Sequence, residues 1–316
     1  MTINLTDPIF NDETAAREFM EAQRWPDGPY CPHCGATENI KRLEGKSHRP
    51  GLYQCNACRG HFSVTVGTVY ERSKVPLTKW LLAVHLLTAS KKGMSSHQIH
   101  RMLGVTYKTA WFMTHRIREA MTDASPKPMG GGGKAVEVDE TYFGKTDEPR
   151  APKKKRATPY TRKGHGGPAN KRAVVALVER GGMVRSFHPD RADIPNVREI
   201  VFCNISREAT LNTDESGLYK ALGKEFAKHA TVKHTANEYV RGDAHTNTIE
   251  GFFSIFKRGM KGVYQHCGEQ HLHRYLTEFD FRYNNRTALG VDDAERAAKA
   301  IKGAAGKRLT YRRLDA

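Results

Sequence analysis

The chain has 316 residues, with 51 Lys and Arg against 34 Asp and Glu, a formal net charge of +17. That length suggests two or three domains with sizeable cores, and the charge selects a polyanionic partner. A membrane partner is excluded, because the longest apolar stretch, 80–89, falls short of the roughly 20 residues a span needs, and the acidic start has no secretory pattern. An intracellular protein is expected, in which six cysteines make poor disulfides.

Residues 1–70 hold two CxxC pairs, Cys31/Cys34 and Cys55/Cys58, with twenty residues between them. Four thiolates at this spacing suit one tetrahedral zinc, and short β-like runs flank the second pair, so a structural zinc ribbon is expected. His33, His48 and His61 are the substitute ligands nearby. Four thiolates leave no open position, so a catalytic zinc is not expected. Cys203 and Cys267 stand alone.

Residues 71–124 read as helical. Ser95 and Ser96 can cap a helix through Met102, Leu103-Gly104-Val105 turns, and Thr106 can cap a second helix from Tyr107 to Met121. This is the outline of a helix-turn-helix. Ala110, Met113 and Ile117 fall at core spacing, which makes Lys108, Thr109, Arg116 and Arg118 the candidates to face DNA. The run SPKPMGGGG (125–133) reads as a linker.

Residues 134–290 alternate β-rich and helical runs, the mark of an α/β domain. Within it, 145–172 carries ten Lys and Arg against two Asp and Glu, with too few apolar residues to bury a core. It reads as a basic loop between two strands. Lys153, Lys154, Lys155, Arg156, Arg162 and Lys163 are its candidate phosphate contacts.

Three acids stand out. In AVEVDETYF (135–143) Val136 and Val138 face one way, while Glu137, Asp139 and Thr141 face the other. A carboxylate inside a β-run is costly unless a cation sits beside it. The run 208–214 reads as a strand ending at Asp214, with a helix expected from Glu215 to about Phe226. Glu250 lies on an apolar-faced helix, with 35 residues between it and Asp214. Two strand aspartates and a helix glutamate can hold two Mg²⁺ or Mn²⁺ ions. Asn247 shares a helix face with Glu250 and is an alternative third ligand. Lys257, two turns on, is placed to meet substrate phosphates, and Arg258 to contact the DNA backbone. Glu137, Glu140, Glu215 and Asp243 are competing acids, Glu137 the most serious. The tail from 291 is Ala- and Lys/Arg-rich and reads as a helix that frays.

CPHCG (31–35), YQCNACRGHFSVTVGT (53–68), VEVDETYFG (136–144), LNTDESGLY (211–219), HTNTIEGFFSIFKRG (245–259), GVYQHC (262–267) and RYLTEFDFRYNNR (274–286) run in one order along nearly the whole chain. Together they resemble insertion-sequence transposases with an N-terminal zinc ribbon and an RNase H-like DDE domain. The resemblance implies a mixed sheet with helices, cleavage at terminal inverted repeats, transfer of 3′-hydroxyl ends into target DNA, and catalytic roles for Asp139, Asp214 and Glu250. It implies double-stranded DNA as partner, a homodimer or higher oligomer on DNA, no membrane, and a cytoplasmic location at the bacterial nucleoid. The alternatives are a DNA-binding regulator with an idle α/β domain, and an RNase H-like nuclease without strand transfer.

Overall fold

The computed structural model describes residues 4–147, 170–233, 236, 238 and 240–310. The chain divides into two units, Met1–Asp123 with Asn285–Ala316, and Ala124–Asn284. No helix among the described residues is long and apolar enough to cross a membrane.

In the first unit, α1 (Glu13–Arg24) precedes an antiparallel sheet of β1 (Ile40–Leu43), β2 (Leu52–Cys55) and β3 (His61–Phe62), in that spatial order. So small a sheet cannot enclose a core. Trp25 covers it, edge-on to the stacked rings of Tyr53 and Phe62. Next, α2 (Leu77–Ala89) buries Trp80, Leu81, Ala83, Val84 and Leu87 and is enclosed by other helices. Its N-cap is Pro76, whose side chain accepts nothing. The Glu13 carboxylate of α1 takes over, accepting the amides of Leu77 and Thr78.

Helix α3 (Ser96–Leu103) opens with a reciprocal Ser95/Gln98 capping box and closes on Gly104 at φ 58°, a left-handed turn that glycine makes without steric cost. Helix α4 (Tyr107–Ala120) opens on Thr106, whose Oγ1 accepts the Thr109 amide. Each cap contributes about 1 kcal/mol.

One expectation is corrected here. Arg118 is 1% exposed and donates to Thr114 Oγ1, while Arg116 is 9% exposed and donates to the carbonyls of Glu71 and Leu309. Both guanidiniums are taken up inside the first unit, so neither is a DNA-facing group. Lys108 is exposed and Thr109 half-buried.

The second unit begins with the glycine-rich run. Met129 in it is buried and bridges Ile205, so this segment joins the core rather than merely connecting. Then come β4 (Ala135–Phe143), β5 (Arg172–Glu179), β6 (Val184–Phe187), α5 (Ile194–Asn204), β7 (Thr210–Asp214), β8 (Lys228–Val232), the short hairpin β9 (Val240–Arg241) and β10 (Ala244–His245), α6 (Asn247–Gly259) and α7 (Leu272–Asn284). The main sheet has the order β6-β5-β4-β7-β8. It is mixed: β4–β5 and β5–β6 are antiparallel, β4–β7 and β7–β8 parallel.

Interior strand β5 is buried along most of its length, as a strand covered on both faces must be. Val136, Val138, Val175, Leu177 and Leu211 pack with Val197 and Val201 of α5. On the other face Val174, Ala176 and Val178 meet Ile249, Phe252, Phe253 and Phe256 of α6, and Leu276 and Phe279 of α7. Each of the Val, Leu, Ile and Phe side chains contributes about 1.5–3 kcal/mol when fully buried. Edge strand β6 is closed by α7: Asp280 accepts the amide and hydroxyl of Ser186, and Asn284 bonds both the N–H and the C=O of Val184. An edge satisfied in this way offers no template for a foreign strand.

The helix expected over 215–226 does not form. In its place Asp214 Oδ1 accepts the Ser216 amide and Ser216 Oγ the Leu218 amide, in a run of turns. A 3₁₀ turn at Leu222–Glu225 is all that remains. The tail, expected to fray, forms α8 (Asp293–Lys302), capped by Asp292 and packed on α2 through an apolar face that includes Ala297, Ala300 and Ile301. It belongs to the first unit.

Candidate active site and zinc centre

The four cysteines of the first unit converge. Among the described residues, Cys31, Cys34, Cys55 and Cys58 are the group whose ligand atoms all lie within 4.8 Å of one another. Cys31 and Cys58 Sγ are 3.6 Å apart, Cys34 and Cys55 Sγ 3.7 Å. A tetrahedron with Zn–S bonds of about 2.3 Å has edges of about 3.8 Å, whereas a disulfide needs about 2.05 Å. The donor set therefore fits zinc. Two tight turns build it: Gly35, at φ 79°, lets its amide reach the Cys31 carbonyl, and the Cys55 amide bonds the Gly60 carbonyl. His33, His48 and His61 are not in the group; His33 Nε2 lies against the His61 carbonyl.

In the second unit, one cleft of about 500 Å³ is lined by Asp139, Glu140, Thr141, Asp214, Glu250, Phe253, Ser254 and Lys257. Its geometry follows from the register. β4 pairs with β7 from Ala135–Thr210 to Glu137–Asn212, and two residues further on the same face brings Asp139 beside Asp214. Helix α6 crosses that face. Its buried phenylalanines fix its roll, which turns Glu250, Ser254 and Lys257, at i, i+4 and i+7, into the cleft.

Burial pushes the Asp139 carboxyl up to about 8, aided by the negative charges of Glu140, Asp214 and Glu250. Among the described residues, no Lys, Arg or His forms an ion pair with Asp139 or Asp214. A part-buried carboxylate with anions around it is stabilised in its charged form when a cation is added. Carboxylate oxygens are the donor type that Mg²⁺ and Mn²⁺ take, though Asp139, Asp214 and Glu250 do not form a group with all ligand atoms within 4.8 Å of one another as the cysteines do.

The cleft gathers Asp139, Asp214, Glu250 and Lys257. Asn247, the first residue of α6, is exposed and not among its walls. Arg258 is exposed, with its guanidinium on the Ser254 carbonyl and hydroxyl. Lys108 and Thr109 belong to the other unit. Lys153, Lys154, Lys155, Arg156, Arg162 and Lys163 lie outside the described residues.

The competing acids take other places. Glu140 also lines the cleft, but its carboxylate accepts the hydroxyl of Tyr219, a fully buried side chain. Glu215 lines an adjoining cavity that shares Asp214 with the cleft, and Asp243 lines another that shares none of its residues. Glu137 is fully buried and occupied by donors from Arg180, Thr248 and Ile249. Thr141, Phe253 and Ser254 do not stand out in the sequence as site residues; only the i±3 and i±4 spacing to Glu250 and Lys257 hints at the last two.

Residues 130–284 match the model of the ISXO2-like transposase domain, and residues 11–61 that of the transposase zinc-ribbon domain. An uncharacterised protein in the transposable element ISH50 of Halobacterium salinarum is 31% identical over 279 residues, covering 86% of this chain and 91% of that protein. A four-thiol ribbon followed by a mixed-sheet domain, each matching in the same order, places this chain in the ISXO2-like transposase family.

Proposed function

We propose that this transposase binds the ends of its own element and catalyses metal-dependent strand cleavage, then transfer of the 3′-hydroxyl ends into target DNA. The observation that carries this reading is the single cleft in which Asp139, Asp214, Glu250 and Lys257 meet. Asp139, Asp214 and Glu250 would hold two Mg²⁺ or Mn²⁺ ions, which when bound supply an activated water or 3′-hydroxyl and stabilise the leaving oxygen. The protein's own residues do the placing. Two carboxylates come from neighbouring strands and one from a helix locked by its apolar face, so all three are held on rigid elements. Lys257 presents a point charge to the phosphate oxygens. No side chain is needed as a covalent nucleophile.

The zinc ribbon and the α3–α4 pair would recognise the ends, with Lys108 and Thr109 at the first turn of α4 entering the groove. Arg258 and the basic run of Lys153, Lys154, Lys155, Arg156, Arg162 and Lys163 would contact phosphates. Two ends must be brought together, so a dimer or higher oligomer acts on DNA. The test is incubation with element-end DNA, target DNA and Mg²⁺, followed by mapping of every new end. Free 3′-hydroxyls at the element boundary and joined products are expected. Cleavage without joining would make the protein a nuclease; binding without metal-dependent cleavage would make it a regulator.

A further inference from the structure

Glu137 is a fully buried acid that the proposed chemistry does not use. It sits on β4 two residues before Asp139 and on the same face. Its Oε2 accepts the backbone amides of Thr248 and Ile249, each at 3.0 Å. Its Oε1 accepts the Thr248 hydroxyl at 2.9 Å and Arg180 Nε at 2.7 Å, and His245 Nδ1 stands 3.2 Å away. Two carboxylate oxygens offer about four lone-pair sites, so the group is saturated and has none left for a metal.

Those two amides open α6. The helix has Thr246 as N-cap with no side-chain cap bond of its own, so its orphan donors at Thr248 and Ile249 are satisfied by Glu137 from across the sheet. The negative charge faces the positive end of the helix dipole. Arg180 extends the clamp, donating to the carbonyls of Asp243 and His245 in the hairpin that leads into α6. Glu250 is the next residue of the helix after Ile249, and its side chain accepts the Thr246 hydroxyl. One buried carboxylate thus joins the strand that carries Asp139 to the helix turn that carries Glu250.

We propose that Glu137 is a positioning residue for the metal site: a cap supplied from strand β4 that fixes the distance between the Asp139 and Glu250 carboxylates. This rests on the metal-dependent reading of the cleft. With the clamp in place the carboxylates are pre-set for the ions. Without it the first turn of α6 frays, and the ions must bear the cost of ordering it.

The test is Mn²⁺ binding to the full-length protein, read by the free-ion EPR signal, alongside the Mn²⁺ dependence of end cleavage. Glu137→Gln keeps one acceptor oxygen but sets an amide group against Arg180 and Thr248. The half-saturating Mn²⁺ concentration should rise at least tenfold in both measurements. Cleavage at saturating Mn²⁺ should return to within about threefold of wild type, and affinity for end DNA should not change. Thr248→Val, which keeps both amide bonds and removes only the hydroxyl, should show a shift of a few-fold in the same direction. If Glu137→Gln does not fold, Thr248→Val decides alone, and an unchanged half-saturation overturns the proposal. So does a lower rate at unchanged half-saturation in a folded Glu137→Gln, which would mean a scaffold role only. A folded Glu137→Gln that binds no Mn²⁺ at any concentration would make Glu137 a ligand. If wild type itself binds no Mn²⁺, or Asp139→Asn binds it as well as wild type, the metal reading fails first and takes the proposal with it.

Discussion

Replacing Asp139 with Asn should abolish cleavage and yet make the metal-free protein more stable. The carboxyl is pushed up to about 8 in the folded state, chiefly by burial and then by its anionic neighbours, against about 4 in an unfolded chain. Between those values the folded state holds a proton that the unfolded state has released. Stability is therefore full below about pH 4 and is lost as pH rises to about 8. At about 1.4 kcal/mol per unit, a shift of about four units sets a ceiling of about 6 kcal/mol. Relaxation and water entry lower this, and about 2–4 kcal/mol is the working expectation, or roughly 5–15 °C for a domain of this size. Asn has nearly the same shape and no charge to bury. In thermal melts at pH 8, in buffer depleted of Mg²⁺ and Mn²⁺ without a chelator so that zinc stays, Asp139→Asn should melt higher than wild type. The gap should narrow as pH falls toward 5. Adding Mg²⁺ should raise the wild-type melt and leave the variant unmoved. A variant that melts at or below wild type at pH 8, or a gap independent of pH, would refute the reasoning that this acid is held at a cost which only a cation offsets.

Four further outcomes are expected. Cys55→Ser should lower zinc content from about one per chain toward zero and unfold the ribbon, read by metal analysis and loss of amide protection, while the second unit keeps its melt. Arg118→Met should lower the stability of the first unit by about 2–4 kcal/mol, because it removes one partner from a buried polar network, and should leave the salt slope of DNA binding unchanged. Lys108→Ala should do the reverse, with little change in stability and a log–log salt slope shallower by about one unit per phosphate no longer neutralised. Neutralising Lys153, Lys154, Lys155 and Arg156 together should weaken binding across all DNA sequences and flatten the salt dependence further, with Mn²⁺ binding unaltered.

Local signals are readable where a side chain acts on its own neighbourhood. Ser95 with Gln98, Gly104 and Thr106 mark the ends of α3 and α4 because capping chemistry is local. The alternation in 135–143 places Asp139 on one face of a strand, and the apolar spacing in 245–259 places Glu250 on a helix. What cannot be read is long-range cover. Nothing near Arg116 reveals that Leu309, 193 residues away, will accept its guanidinium. Glu137 looks like a rival ligand because the amides that saturate it come from residues 111 and 112 positions away. The helix expected after Asp214 gives way to turns in which Asp214 and Ser216 accept the amides two residues on, and the same side chains serve a helix cap equally well, so the sequence does not decide between the two. The tail looks unsupported because its apolar face is completed by α2, more than two hundred residues earlier in the chain.

In the proposed mechanism Asp139, Asp214 and Glu250 together hold two divalent ions against the DNA strand to be cut. This is tested most directly by crystals of the protein with element-end DNA and Mn²⁺, with data collected to show the anomalous signal of manganese. Two manganese peaks are expected in the cleft, bounded by these three carboxylates, about 3.5–4 Å apart and adjacent to the scissile phosphate, with none at Glu137 or Asn247. An empty cleft, or manganese ligated by Glu137 or Asn247 in place of Glu250, would contradict it.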